Sequence, residues 1–153
     1  MVIPTKLYEE VIFETIRKGA TVISDDVRAA FLRSIEKESS ETSRIGLEQT
    51  LKSIELSIIK DNPACPDTGW PLFYYKVGNE CKLEGGMIAL EEATRRAVAK
   101  ATEKGYLRAT MKNPFSGYDP GNNIGVNIPS FTYKFIPGKD IEITYVAKGG
   151  GSE

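Results

Sequence analysis

The spacing of hydrophobic residues changes once along this chain, near residue 60, and that change sets the class of fold. Before it, apolar residues recur every three or four positions, which is the period of an amphipathic helix. After it, the chain contains segments of strand type around one further helical segment. The 153 residues are enough for one domain with its own core. The sequence therefore predicts a single α+β domain over 1–153, with a helical group at 1–60 and, over 61–153, a small, mainly antiparallel sheet with a packed helix.

The first predicted helix covers residues 4–18. Pro4 suits a first helical turn, and Gly19 favours a stop. Its apolar face is predicted to consist of Leu7, Val11 and Ile12.

Two more helices are predicted before Pro63. Ser24 is placed as the N-cap of the second, where the acidic residues that follow it favour the helix dipole. The polar run 38–43 is predicted to be a linker. The apolar positions of these helices are Val27, Phe31 and Ile35 in the second, and Leu47, Leu51, Ile54 and Ile58 in the third.

The second half of the chain alternates strand and helix signals. Residues 72–78 predict a strand, and 87–104 predict a helix that turns Leu90, Ala93, Ala97, Val98 and Ala101 inward. A long segment, 105–129, is rich in glycine, proline and asparagine and is typical of a loop that is either functional or disordered. The run FTYKFIPGKDIEITYVAK, 131–148, predicts a β-hairpin around a Pro-Gly turn. Because a glycine run follows this last strand with almost nothing after it, we interpret the chain as a fragment or as one piece of a larger assembly.

Composition excludes several function classes. Histidine is absent, so the chain cannot build a Ser-His-Asp triad, a Cys-His dyad or an HExxH zinc site. A formal net charge of −1 gives no support to nucleic-acid binding. No apolar run approaches the roughly 20 residues of a membrane span, and the N-terminus lacks a signal-peptide pattern, so a cytoplasmic location is expected.

One short stretch, NPACPDTGWP at 62–71, carries unusual chemistry. Its three prolines fix the backbone, and its glycine allows a conformation that other residues avoid, so the loop is rigid. It presents Cys65, Asp67 and Thr68 in a defined geometry. From the residues alone two interpretations are open: Cys65 is a small buried hydrophobe in a tight connection, or it is a thiolate ligand beside a carboxylate that moves protons.

Four segments in order resemble the class I, iron–sulfur-dependent fumarases and L-tartrate dehydratases. DNPACPDTG, 61–69, resembles the family's cysteine loop with its Cys-Gln-Asp-Thr-Gly stretch, and GYLRAT, 105–110, resembles its segment with a substrate-binding arginine. NIGVNIP, 123–129, resembles its Asn-Thr-Gly-Asp-Asn-x-Pro stretch, and AKGGGSE, 147–153, resembles its Lys-Gly-Gly-Gly-Ser loop. The resemblance covers about residues 60–153, and four ordered motifs make it specific.

The resemblance implies a [4Fe–4S] cluster held by three cysteines, with one iron open to bind substrate. Cys65 matches the first cluster ligand, whereas Cys81 matches none and is interpreted as structural; the other two cysteines would come from sequence outside this chain. Asp67 matches a catalytic acid/base.

The same resemblance implies the substrate-binding residues. Arg108 would pair with a substrate carboxylate in a two-pronged contact. The backbone of the glycine loop would approach an anionic substrate, and a lysine would add positive charge. The implied substrate-binding residues are Thr68, Arg108, Lys148, Gly149, Gly150 and Gly151.

Two residues of the stretch 62–71 depart from the family's pattern. Pro66 stands where the family has glutamine and so cannot donate a side-chain hydrogen bond, and Trp70 is bulkier than the usual residue.

The implied function is reversible hydration of a C4-type dicarboxylate, fumarate/malate or tartrate-like, by an oligomer that also contains the remainder of the α subunit and a β subunit or C-terminal domain. The alternatives are a non-catalytic scaffold or assembly subunit of the same fold and a small carboxylate-binding module.

Overall fold

The computed structural model describes residues 2–65, 67 and 69–149. The elements in chain order are three helices, α1 (Thr5–Thr21), α2 (Asp25–Lys37) and α3 (Glu41–Lys60), then strand β1 (Trp70–Gly78), helix α4 (Gly86–Glu103), and strands β2 (Ser130–Ile136) and β3 (Ile141–Lys148). The predicted α+β class is confirmed. No helix in the described part of the chain is both long enough and apolar enough to span a membrane.

Helix α4 forms the centre of the core together with α1 and β1. The five inward residues predicted for α4 are all buried, which confirms that face. Helix α1 packs on α4 and on β3. The shared core cluster consists of Tyr8, Ile12, Ile16, Phe73, Tyr75, Val77, Leu90, Ala93, Ala97, Val98, Ala101 and Leu107.

The predicted apolar face of α1 is only partly right. Ile12 is buried, but Leu7 and Val11 are 51% and 44% exposed, and the buried row is Tyr8, Ile12 and Ile16. Leu7 and Val11 each precede a buried residue by one position, which turns them about 100° around the helix. The predicted stop at Gly19 is wrong, since α1 continues to Thr21. Gly19 instead makes room for the ring of Tyr145, because a Cβ at position 19 would lie 2.7 Å from Cδ1 of that ring.

Helices α2 and α3 pack mainly against each other. Ser24 is the N-cap of α2 as predicted, but its side chain makes no capping hydrogen bond. The predicted linker 38–43 is shorter than expected, since α3 begins at Glu41 with Ser40 as its cap. In α2 no residue is buried, and in α3 Leu51 and Ile54 are buried whereas Ile58 is 47% exposed.

The predicted hairpin over 131–148 is wrong, because β1 lies between the two strands. The sheet order is β2-β1-β3, with β1 parallel to β2 and antiparallel to β3, so the sheet is mixed. Helix α4 lies in the long crossover that a parallel pair requires. The connection from β2 to β3 passes over the end of β1: Gly78 N donates to Asp140 O at 2.8 Å, and a Cβ on Gly78 would lie 2.4 Å from Gly138 O.

Candidate functional site

The cysteine loop, defined here as residues 62–69, is pinned at its start to two helices. Asp61, the C-cap of α3, has left-handed backbone angles (φ 52°) that turn the chain out of the helix. Ser57 Oγ donates to Pro63 O at 3.3 Å, and Ala64 N donates to Ala20 O at 2.9 Å. The backbone leading to Cys65 is therefore fixed by contacts to both α3 and α1.

Cys65 is exposed, which contradicts its interpretation as a small buried hydrophobe. It lines two cavities. One, of about 490 Å³, lies against α3 and is lined in part by Thr50 and Ile54. The other, of about 180 Å³, also contains Asp67 and Tyr145 in its wall. The structure thus brings the predicted thiolate ligand and the predicted acid/base to one small cavity.

Asp67 is held by its own loop. Its Oδ1 accepts a hydrogen bond from Gly69 N at 3.2 Å, which is a side-chain-to-backbone turn typical of aspartate. The side chain is exposed. This turn engages one of the two carboxylate oxygens of Asp67.

The start of the glycine loop lies directly beside the cysteine loop. Gly69 has φ +65°, and a Cβ there would lie 2.4 Å from the carbonyl carbon of Lys148 and 2.7 Å from Gly149 N. Trp70, 44% exposed, pairs with Lys148 in the sheet. Of the residues implied by resemblance, Thr68, Gly150 and Gly151, as well as the departure at Pro66, lie outside the described residues.

Arg108 lies in the arginine segment, defined here as 105–110, which Asn123 holds in place. Asn123 is fully buried; its Nδ2 donates to Arg108 O at 2.7 Å, and its Oδ1 accepts from Thr110 N at 3.0 Å. The Arg108 side chain is exposed. The buried side-chain amide of Asn123 therefore joins two of the four motifs, 105–110 and 123–129. Arg108 itself lines neither of the two cavities beside Cys65.

A second contact joins the arginine segment to the start of the cysteine loop. Tyr106 OH donates to Asp61 Oδ2 at 2.6 Å, and Arg17 Nη1 donates to Asp61 Oδ1 at 2.7 Å. The hydrogen bond from Tyr106, followed by that from Arg17, lowers the pKa of the Asp61 carboxyl, and the same carboxylate raises the pKa of the Tyr106 phenol. The sequence alone does not identify Asp61, Tyr106 or Asn123, because their roles depend on partners far away in the chain.

Tyr145 is a further residue that the sequence does not single out. Its hydroxyl is buried and has no hydrogen-bond partner within the part of the chain that the structure describes. Burial raises the pKa of this phenol, so the side chain stays neutral. The ring packs against Phe73, with centroids 5.5 Å apart, and its edge lies close to Gly19.

Among the described residues, the side chains at the site offer a metal cluster one ligand, the thiol of Cys65. Within residues 2–65, 67 and 69–149, no three His, Cys, Asp or Glu side chains are grouped so that they could hold a metal ion. Cys65 offers a single exposed thiol, and Cys81 packs instead against the core cluster, where burial and then Asp140 raise the pKa of its thiol. An iron–sulfur cluster at Cys65 would therefore need ligands from other segments.

The described contacts join the four motif segments in two pairs, Gly69 with Lys148 and Gly149, and Asn123 with Arg108 and Thr110. The family model described as Fumarate hydratase (Fumerase) matches residues 9–153. The chain belongs to this family.

Relatives with assigned names agree with this placement. The chain is 32% identical over 146 residues to the putative L(+)-tartrate dehydratase subunit alpha of Methanocaldococcus jannaschii, covering 94% of this chain and 51% of that protein. It is 29% identical over 149 residues to the putative fumarate hydratase class I of Geobacillus stearothermophilus, covering 97% and 28%. It is 32% identical over 133 residues to the L(+)-tartrate dehydratase subunit alpha of Escherichia coli, covering 86% and 43%. The chain thus spans between 28% and 51% of the length of these relatives.

Proposed function

We propose that this chain is the N-terminal part of a [4Fe–4S]-dependent hydro-lyase that reversibly adds water to, or removes it from, a C4-type dicarboxylate of the fumarate/malate or tartrate kind. One observation carries the proposal: the exposed Cys65 and Asp67 share a cavity on a loop whose far end packs on Lys148 and Gly149. Family membership and the names of the relatives support the same reaction class.

The roles follow from the chemistry of each side chain. Cys65 would supply one thiolate to the cluster, which when bound supplies a Lewis-acidic iron. Asp67 would carry a proton to or from the reacting oxygen, since one of its oxygens is engaged by Gly69 and the other is not held by that turn. Arg108 would bind a substrate carboxylate, with Thr68, Lys148 and the glycines 149–151 completing the anion site.

The remaining cluster ligands would come from outside this chain. Two of the relatives are named as alpha subunits, and this chain covers only part of each. We therefore propose an assembly with the rest of an α subunit and with a β subunit or C-terminal domain. Because a thiol must stay reduced to ligate iron, and both cysteines here are free, the proposed location is the cytoplasm.

The test compares the two cysteines in the complete protein, reconstituted anaerobically with iron and sulfide. Cys65→Ser is expected to abolish stoichiometric cluster content and turnover of fumarate, L-malate and tartrate, because it removes one of three thiolate ligands. Cys81→Ser is the matched control, since Cys81 lines neither cavity at Cys65, and is expected to retain both.

Three outcomes would contradict the proposal. Equal losses in the two variants would show that Cys65 is not a specific ligand. A complete wild-type protein that binds dicarboxylates without binding iron would favour the carboxylate-binding module, and one that does neither would favour the scaffold subunit.

A further inference from the structure

We propose that Asp61 and Tyr106 are positioning residues, whose hydrogen bond sets the distance between the cysteine loop and the arginine segment. The inference rests on the proposed function, because it assigns a purpose to the relative placement of Cys65 and Arg108. Neither residue is proposed to touch substrate.

The carboxylate of Asp61 accepts hydrogen bonds from two donors at once. Each carboxylate oxygen has its own partner: Oδ1 accepts from Arg17 of α1, and Oδ2 accepts from Tyr106, at 2.7 and 2.6 Å. Arg17 is itself held by Glu14, with 2.9 Å between Nε and Oε2. The carboxylate of Asp61 is thus oriented from α1 before it meets Tyr106.

Tyr106 is oriented just as firmly. Its ring meets Phe13 of α1 edge-on, with centroids 6.0 Å apart. Its backbone N donates to Ala101 O at 2.9 Å, and the next residue, Leu107, is 2% exposed. The hydroxyl therefore has little freedom to choose another acceptor.

The two ends of this contact are close in sequence to the site residues. Asp61 precedes Cys65 by four residues, and the backbone between them is pinned at Pro63 and Ala64. Tyr106 precedes Arg108 by two residues, with Leu107 buried between them and Asn123 holding the carbonyl of Arg108. A shift at the Asp61–Tyr106 bond would be passed to both site residues through short, restrained segments.

Stability alone does not account for such a contact. The side chain of Asp61 is 45% exposed, and exposed charge pairs contribute little to folding free energy. The chain has a matched pair elsewhere on α3: Glu55 accepts from Arg28 at 2.8 Å, with side chains 46% and 51% exposed. That pair joins α2 to α3, and neither of its residues lies in the four motifs or lines a cavity at Cys65, so it is the natural control.

The experiment uses the complete, anaerobically reconstituted protein with Tyr106→Phe, Asp61→Asn and the double variant. Phenylalanine keeps the ring contact to Phe13 but removes the donor, and asparagine tolerates the left-handed backbone of Asp61. The controls are Tyr118→Phe, an exposed tyrosine of the 105–129 loop, and Glu55→Gln. Amide hydrogen exchange is measured in peptides covering 62–70 and 105–111, together with kcat and KM for fumarate, L-malate and tartrate.

Each single variant is expected to speed exchange in both peptides by about threefold to tenfold: Tyr106→Phe removes the donor, and Asp61→Asn leaves one uncharged acceptor oxygen for two donors. The double variant is expected to be no faster than the faster single, because both substitutions act on one shared contact. The value of kcat/KM for the dicarboxylate is expected to fall by a similar factor, mainly through KM, while the midpoint of thermal unfolding stays close to that of the controls.

Two results would overturn the inference: exchange in both peptides no faster than in Tyr118→Phe and Glu55→Gln, or additive effects in the double variant. If the complete wild-type protein has no hydro-lyase turnover, the proposed function fails, whereas the exchange data still decide whether Asp61 and Tyr106 couple the two segments.

Discussion

Gly69 packs directly against the backbone of Lys148, so that the cysteine loop and the glycine loop meet with no side chain between them. A Cβ at position 69 would lie 2.4 Å from Lys148 C and 2.5 Å from Lys148 O. These are backbone atoms of a paired strand, and they cannot move aside as the end of a flexible side chain can. The contact places two of the four motifs side by side.

Gly69→Ala is therefore expected to be strongly destabilising. It adds the strain of φ +65° to a clash with paired backbone. Gly121→Ala is the matched control, since Gly121 has φ +71° but no atom within 4 Å of the point where the alanine methyl carbon would lie. We expect Gly69→Ala to cost about 2 kcal/mol more than Gly121→Ala in chemical denaturation, from the clash alone. Equal losses would show that the loops separate easily.

How far the sequence predicts the fold depends on whether a feature is local. Every inward residue of α4 is predicted correctly, because the segment contains a single apolar stripe with helical spacing. Only one face of this helix can therefore be the buried one. In α1 two overlapping stripes compete, and Tyr8, which the apolar pattern leaves out, belongs to the buried one. The choice between them is made by packing against α4 and β3, which the segment itself does not encode.

The hairpin shows the same limit at the level of the sheet. Alternation correctly indicates strands on both sides of Pro137, but strand neighbours are set by long-range pairing. Strand β1 carries the aromatic residues Phe73 and Tyr75, which stack with Phe131 and Tyr133 of β2, while Phe73 also contacts Tyr145 of β3. Because β1 offers an aromatic surface to both strands, it occupies the centre, and the Pro-Gly connection spans its end.

At the candidate site, the sequence predicts the residue types but not their supports. Cys65 and Asp67 share a cavity because they belong to one rigid loop, which is a local property. The contact between Asp61 and Tyr106 joins residues 45 positions apart, and no local sequence pattern predicts it. The one available signal for Asn123 is its position at the start of the NIGVNIP motif, which by itself assigns the side chain no role.

Asn123→Ala is expected to loosen the arginine segment. It removes the donor to Arg108 O and the acceptor for Thr110 N in a fully buried place, so we expect a loss of about 2–4 kcal/mol of stability. Asn127→Ala is the control, because Asn127 is exposed yet has a similar left-handed backbone, φ 60° against 57°. The free energy of unfolding of both variants is measured in denaturant. Because the two positions have similar backbone strain, the extra loss in Asn123→Ala reports the lost hydrogen bonds. Similar losses in the two variants would contradict the role of Asn123.

Tyr145→Phe is expected to be neutral or stabilising at pH 7, by up to about 1 kcal/mol, because it removes a buried hydroxyl that has no partner among the described residues. Tyr75→Phe is the control: its hydroxyl lies 2.6 Å from Thr94 Oγ1, so its loss is expected to destabilise. A clear loss of stability in Tyr145→Phe, as large as in Tyr75→Phe, would show that this hydroxyl has a partner.

The pH dependence of the same variant has a definite sign. Burial raises the pKa of Tyr145 in the folded state above the ordinary value near 10. Above about pH 10 the unfolded chain therefore releases this proton and the folded chain does not, so the stability linked to Tyr145 falls as pH rises, by at most about 1.4 kcal/mol per pH unit. Urea unfolding between about pH 8 and 11 is expected to show a shallower decline for Tyr145→Phe than for the wild type.

Asp67→Asn is the sharpest test of chemistry at the cavity, because the structure explains why the loop should survive the change. The amide oxygen of asparagine can still accept the hydrogen bond from Gly69 N, which holds the turn at 3.2 Å. What disappears is the carboxylate that would transfer the proton. In the complete, reconstituted protein we expect cluster content and thermal stability to match the wild type, while kcat falls by about 10²–10⁴. Steady-state kinetics with iron and sulfide analysis of each preparation make the comparison. Normal turnover in Asp67→Asn would remove this carboxylate from the mechanism, and loss of the cluster together with activity would instead make Asp67 a structural residue of the cysteine loop.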